Sequence, residues 1–152
     1  MEIIRVQTDE QAAICDNFLC ELIKYESDLD KLINKKFIVS DFYKRALSNP
    51  NKYLALAYAK GEAIGFVYAY LKVAKDTSFS DNIVEIDGLF IKDGFRKLGV
   101  GTTLIKSVED WAKDNFGSAH FEITYINTNF PAENCYKKLG FEPIKTTLRK
   151  KG

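Results

Sequence analysis

Apolar residues along this chain switch between strand-like runs and helix-like spacing, and the switches divide it into elements. Glu2 to Val6 reads as a short strand. Thr8-Asp9-Glu10-Gln11 forms a capping box, threonine at the N-cap and glutamine three residues on. The helix it opens carries Ile14, Phe18, Leu19, Leu22 and Ile23 on one face and ends near Tyr25. Ser40 is placed to cap a second helix with Phe42, Tyr43, Ala46 and Leu47 inward, stopped by Asn49-Pro50-Asn51. Lys52 to Lys60 and Ala63 to Val73 predict two strands around Gly61-Glu62, and Ala74 to Asn82 a polar loop. A strand follows over Ile83 to Lys92, broken by Asp93-Gly94. Leu104, Ile105, Val108, Trp111, Ala112 and Phe116 then recur at helical spacing, which predicts a helix from about Gly99 to Phe116 with Gly117 as its stop. Ala119 to Ile126 reads as a further strand with both faces largely buried, Phe121, Ile123 and Tyr125 sharing one of them. Pro131 opens a short helix that Gly140 ends, and Phe141 to Leu148 closes as a last strand, with Pro143 marking an edge or a strand start. Arg149 to Gly152 is expected to fray. The order β α α β β β α β α β predicts one α/β (α+β) domain over residues 1–152, built on a mixed sheet.

Composition narrows the classes. A chain of 152 residues fits one domain, and at that size roughly 68–70% of the unfolded surface is buried, enough for a real core. A net charge of +1 argues against a general nucleic-acid or membrane-surface binder. No apolar run is long enough to span a bilayer, and the opening residues MEIIRVQTDE lack the basic and apolar regions of a signal peptide, so a cytoplasmic protein is expected. Cys15, Cys20 and Cys135 lack paired metal-ligand spacing and read as reduced thiols. The only histidine, His120, has no ligand cluster around it, so no metal site is expected and His120 reads as a strand-end residue. The run from Tyr25 to Lys36, acidic at Glu26, Asp28 and Asp30 and then basic at Lys31, Lys35 and Lys36, is either a solvated face or a substrate rim.

The chemistry concentrates in VEIDGLFIKDGFRKLGVGTTL, residues 84–104. Here a strand runs into the basic loop Arg96-Lys97-Leu98-Gly99-Val100-Gly101-Thr102, which opens the long helix. Such a junction aims several backbone N–H groups and the positive helix end at one spot, where an anion can sit. Glycines let the backbone approach that anion closely, and Arg96 and Lys97 add charge-assisted contacts. A dinucleotide fingerprint would need a third glycine where Leu104 stands, and a phosphate-binding Walker loop a lysine after Gly101, where Thr102 stands. A second motif lies about thirty residues on, across one helix and one strand: Asn129-x-x-Ala132-x-x-x-Tyr136-x-x-x-Gly140-Phe141.

R-x-x-G-x-G after a strand, followed by N-x-x-A-x-x-x-Y-x-x-x-G-F, resembles the paired signatures of the GNAT superfamily of N-acetyltransferases. The resemblance covers roughly residues 53 to 148, and the first fifty residues only by element order. It departs at Asp93, where the family often carries proline. It implies a sheet of six to seven strands flanked by about four helices, with two central strands splayed apart. It also implies an acetyl-coenzyme A site. By motif, Leu89, Phe90 and Ile91 would offer their backbone to the pantetheine arm, Arg96 to Thr102 would hold the pyrophosphate, and Asn129 and Asn134 would reach the pantetheine or nucleotide end. Tyr136 would lie near the thioester sulfur.

The activity so implied is direct attack of a primary amine on the thioester within a ternary complex. A lysine-like amine with a pKa near 10.4 is neutral in about one molecule in a few thousand at pH 7, so a proton acceptor is expected. Glu85 and Asp87 stand two apart on the strand and share a face. Asp87 stands where many relatives acting on small amines carry an acid, with Glu85 second; both are equally open to a solvating or pairing role. Tyr136 is the candidate proton donor to the leaving thiolate, beside the alternative of a packed aromatic. The acids Glu26, Asp28, Glu85 and Asp87, with Tyr68, Tyr70 and Tyr125, suggest a cationic acceptor, a small amine or a peptide amino group. The competing reading is an acyl-coenzyme A sensor without chemistry. A homodimer is compatible with the sequence.

Overall fold

The structure is a computed structural model and describes residues 1–73 and 79–152. Its elements are β1 (Glu2–Arg5), α1 (Asp9–Ser27), a 3-10 turn (Tyr43–Ala46), β2 (Lys52–Ala59), β3 (Glu62–Val73), β4 (Ile83–Ile91), α2 (Val100–Phe116), β5 (His120–Ile123) and α3 (Phe130–Lys138). The five strands form one sheet in sequence order. The first three pairings are antiparallel and β4–β5 is parallel, so the sheet is mixed.

Two apolar layers enclose it. On one face, Cys15 and Phe18 of α1 pack with Tyr43, Leu56, Phe66, Tyr68 and Phe90. On the other, Val100, Leu104, Ile105, Val108 and Trp111 of α2 pack with Ala55, Val67, Val84 and Ile86, and Tyr136 and Leu139 of the α3 region lean on the same layer. The capping box forms as expected: the Gln11 amide donates to the Thr8 hydroxyl at 3.2 Å, and the Thr8 amide donates to Gln11 Oε1 at 3.3 Å.

Four expectations are corrected. The second helix is only the turn Tyr43–Ala46, entered at Phe42 without a side-chain cap from Ser40. The Tyr43 amide donates to the buried Asp16 of α1 at 3.0 Å instead, and Asn49-Pro50 stops the chain before a full helix can grow. The strand expected over Phe141 to Leu148 does not form, which leaves five strands and three α-helices instead of six to seven and about four. Ile144 and Leu148 are 70% and 88% exposed, so no apolar face drives that segment into the sheet. β5 therefore lies at the edge of the sheet, half-buried and shorter than Ala119 to Ile126. The expected fraying at Arg149 is also absent, because its guanidinium makes two bonds of 2.8 Å to Asp30. Residues 74–78 of the expected polar loop lie outside the described residues.

Phe66 has no exposed surface and joins the two elements that carry β4, facing Phe90 across the ladder and stacking on Phe18 at 6.1 Å. Phe66→Ala should cost about 3–5 kcal/mol. Urea unfolding checks this: the midpoint falls with little change in slope.

Candidate functional site

β4 organises the site through two irregularities. The first is a bulge. Tyr68 of β3 faces Gly88 while its neighbour Ala69 faces Ile86, so Asp87 is an extra residue without a partner on β3. The bulge resets which face each residue takes. Val84 and Ile86 point to the α2 layer before it, Leu89 and Ile91 after it, and Phe90 to the α1 layer. Asp87 is thereby carried on the α1 face beside Gly88, where an added Cβ would crowd the Tyr43 hydroxyl and the Phe66 ring.

The second irregularity is an early end to pairing. β4 and β5 pair only from Ile83↔His120 to Ile86↔Ile123, while β4 runs on to Ile91. On that side Asp87 to Ile91 have no strand partner among the described residues. A gap opens, and buried backbone groups inside a gap demand hydrogen bonds from whatever enters it. At its far end the Ile91 carbonyl accepts from Arg96 Nε at 3.0 Å.

The loop after β4 supplies a second feature. Gly99 stands at the N-cap of α2 with φ of 82°, a conformation that favours glycine, and no side chain caps the helix. The Thr103 amide bonds the Gly99 carbonyl at 3.0 Å. The amides of Val100, Gly101 and Thr102 before it have no acceptor among the described residues, as befits the first turn of a helix. They point at one place, and Lys97 and Thr102 are exposed beside them. Arg96, expected to help hold an anion, is exposed at the start of this loop. Besides Ile91 it lies over the rings of Tyr25 and Phe90, at 5.2 and 5.8 Å, and joins the end of α1 to the end of β4. Asn129 is the N-cap of α3, its Oδ1 accepting from the Ala132 amide at 3.3 Å, and Asn134 is exposed on that helix.

Tyr136 projects from α3 onto the α2 layer, its ring 6.0 Å from both Tyr125 and Phe141. Burial pushes its hydroxyl above the ordinary range, with the charges of Cys135 and Glu26 acting the same way, so the proton stays on. Cys135 is half-buried and reduced.

The acids gather on the α1 face. Burial raises Asp87 above its ordinary 3.8. Burial also raises Glu85 and Glu26, and the charge of Asp87 adds to both shifts. Tyr43, Tyr68 and Tyr70 are raised by burial and then by Asp87, Tyr68 to about 12. Glu26 was read from sequence as part of an acidic run and as one of the acids suited to a cationic acceptor, not as a neighbour of Tyr136. The structure makes it a group that feels the charge of Asp87 and in turn raises Tyr136. Helical spacing from Leu22 could have signalled this, since Glu26 lies four residues on along the inward face. Asp28, by contrast, is the C-cap residue of α1. An open cleft of about 910 Å³ runs beside β5 and α3 and is lined by Glu85, Ile123, Tyr125 and Tyr136 among others. Among the described residues there is no cluster of metal-binding side chains and no helix long and apolar enough to cross a membrane.

The sequence and the fold have counterparts in known proteins. The chain belongs to the Acetyltransferase (GNAT) family, whose model matches residues 17–141. It is an acyltransferase. It is 24% identical over 106 residues to an aminoglycoside N(6')-acetyltransferase type 1 of Klebsiella aerogenes, covering 70% of this chain and 69% of that one. It is 28% identical over 132 residues to an N-alpha-acetyltransferase of Sulfolobus acidocaldarius, covering 78% and 77%. Its fold matches the aminoglycoside N-acetyltransferase AAC(6')-Iy, solved in complex with CoA, with a TM-score of 0.75 at 20% identity over 99% of this chain and 98% of that one.

The raised acids carry a stability consequence. A carboxyl whose folded pKa is raised is stabilising while protonated, and that contribution is lost as pH rises through the folded value. Asp87→Asn, which cannot ionise, should therefore unfold at higher urea than the parent at pH 7. The advantage should shrink as pH falls and vanish below 3.8, the ordinary value for Asp87. Urea midpoints across that range test the sign.

Proposed function

We propose that the chain transfers an acetyl group from acetyl-coenzyme A to a cationic primary amine by direct attack in a ternary complex. The observation that carries this reading is the open edge of β4 from Asp87 to Ile91, which lies between the unpartnered amides of α2 and the acids of the α1 face. A pantetheine arm has amides that can bond such an edge, and its pyrophosphate suits the amides of Val100, Gly101 and Thr102. Lys97 and Thr102 add exposed donors, and Arg96 positions the loop through Ile91. Asn129 supports the site by starting α3 and so placing Tyr136.

The chemistry then divides by side of the gap. The acceptor nitrogen loses a proton to Asp87, directly or through water, with Glu85 as the second candidate. Deprotonating a lysine-like amine at pH 7 accounts for on the order of 4–5 kcal/mol. A carboxyl raised by burial is better matched to that proton than an ordinary one. The lone pair attacks the acetyl carbon, the C–N bond forms, the C–S bond breaks, and the thiolate takes a proton from Tyr136. Three acids and three tyrosines on the acceptor side favour a positively charged substrate. The relatives named for aminoglycosides and for protein α-amino groups are in keeping with an amine acceptor.

Thiol release from acetyl-coenzyme A against a panel of diamines, aminoglycosides and peptides tests the activity. Release with at least one cationic amine is expected; none with any of them, despite cofactor binding, would favour a sensor. Gly101→Val adds bulk at a position whose Cβ would already lie 3.4 Å from Ile91 Cδ1, and should abolish coenzyme A binding by calorimetry while the fold survives. Tyr136→Phe should keep stability and cofactor binding and lower turnover roughly 10²–10⁴-fold, the usual contribution of a general acid. Full single-turnover chemistry in the Phe variant would leave Tyr136 a packing residue.

A further inference from the structure

The segment after α3 crosses the cleft as a strap fixed at both ends. At its start the Phe141 amide bonds the Tyr136 carbonyl at 3.0 Å and the Gly140 amide bonds that of Lys137 at 3.1 Å, with Gly140 at φ of 91°. These are the bonds of a Schellman turn, and the Phe141 ring packs back on Tyr136 as that turn requires. At its end Arg149 is held by Asp30 in two bonds of 2.8 Å, from the opposite end of the chain. Between the two, Pro143 to Thr146 line the same cleft as Glu85 and Tyr136.

Three lysines line that cleft: Lys72, Lys137 and Lys145. Lys72 pairs with Glu122 at 3.3 Å and Lys137 with Glu133 at 2.7 Å. Lys145 has no ion-pair partner among the described residues. Burial is what raises the Glu85 carboxyl, and Lys145 is one of two lysines whose charge draws it back down. A primary amine on a strap pinned at both ends thus lines the same cleft as Glu85, the second candidate base.

We propose that Lys145 is an internal acceptor, and that the enzyme acetylates the Nζ of its own Lys145. The inference rests on the acetyltransferase reading above. The neutral Nζ attacks the acetyl carbon of acetyl-coenzyme A; the C–N bond forms, the C–S bond breaks, the amine proton goes to the cleft carboxylates or water, and the thiolate is protonated and released. One coenzyme A appears per acetyl-lysine. Tethering makes the step first order, and a well-placed tethered group gains a large effective concentration over any lysine in solution. The product has lost one positive charge beside Glu85, which leaves the acids fully available to an external cation.

The test incubates the full chain with acetyl-coenzyme A and no added amine, and maps acetyl-lysine by peptide mass spectrometry over time. Lys145 should be labelled roughly tenfold or more faster than Lys113 on α2 or Lys150 and Lys151 beyond the clamp. The rate per molecule should not change with protein concentration. Gly101→Val should abolish the labelling, and Arg149→Ala, which frees the far end of the strap, should slow it. Uniform labelling of exposed lysines, equal labelling in Gly101→Val, or a rate that rises with protein concentration would each overturn the proposal. The amine panel is run in parallel. Turnover of an added amine with Lys145 unmodified overturns the internal acceptor and leaves the acetyltransferase reading intact. No thiol release in either assay, with coenzyme A bound, overturns both.

Discussion

A strand in the middle of a sheet normally has every backbone group bonded to a neighbour, and β4 does not. Its pairing to β5 stops at Ile86↔Ile123 while its pairing to β3 continues to Gly65↔Ile91. Leaving polar backbone unpaired away from water is costly, so the surrounding structure must hold the open edge in place. The burial does so from both faces: Phe90 is locked against Phe18 on one side, at 5.5 Å, and Leu89 and Ile91 lie on the α2 layer on the other. Arg96 then satisfies the Ile91 carbonyl at the mouth. The loop that opens α2, the acid cluster and Tyr136 are each positioned relative to that edge, so an error in β4 would misplace all of them together.

The bulge at Asp87 links this backbone feature to charge. An uninterrupted strand would put Leu89 on the same face as Asp87, among the aromatic rings of the α1 layer. The extra residue lets an acid occupy the α1 face while the apolar residues after it return to the α2 layer. The acids there are raised by burial, and Asp87 further raises Glu85 and Glu26, which means they oppose one another while ionised. Such an arrangement lowers stability at neutral pH, and a cation entering the cleft relieves it. Sites that bind charge are commonly built at a cost in stability in this way.

The parts legible in the sequence are those fixed by local chemistry. The α1 capping box, the hairpin at Gly61, the helix from Val100 and the proline-started α3 all depend on residues close to one another in the chain. The strand-loop-helix order from β4 into α2 was legible for the same reason. What was not legible depends on distant partners. The Tyr43–Ala46 turn is settled by Asp16, which takes the Tyr43 amide from 27 positions away. The last strand fails because its apolar residues, Ile144 and Leu148, find no layer to enter. Arg149 is ordered by Asp30, 119 positions away, which no periodicity reveals. The role of Glu26 is of the same kind, since an acid at a helix end becomes significant only when β4 and α3 are brought beside it.

The missing last strand has a chemical consequence. Had Phe141 to Leu148 joined the sheet, it would have covered the outer edge of β5 and carried the chain along it. Instead β5 stays a four-residue edge, short enough to offer little template to another chain, and the segment is free to cross the cleft toward α1. Its route is set by a helix-ending turn at Gly140 and an ion pair at Arg149, neither of which requires β-pairing. The same polar character that kept the segment out of the sheet, Glu142, Lys145 and Thr146 among two isolated apolar residues, therefore leaves a lysine lining the cleft that Glu85 also lines. An element lost from the fold becomes one wall of the site.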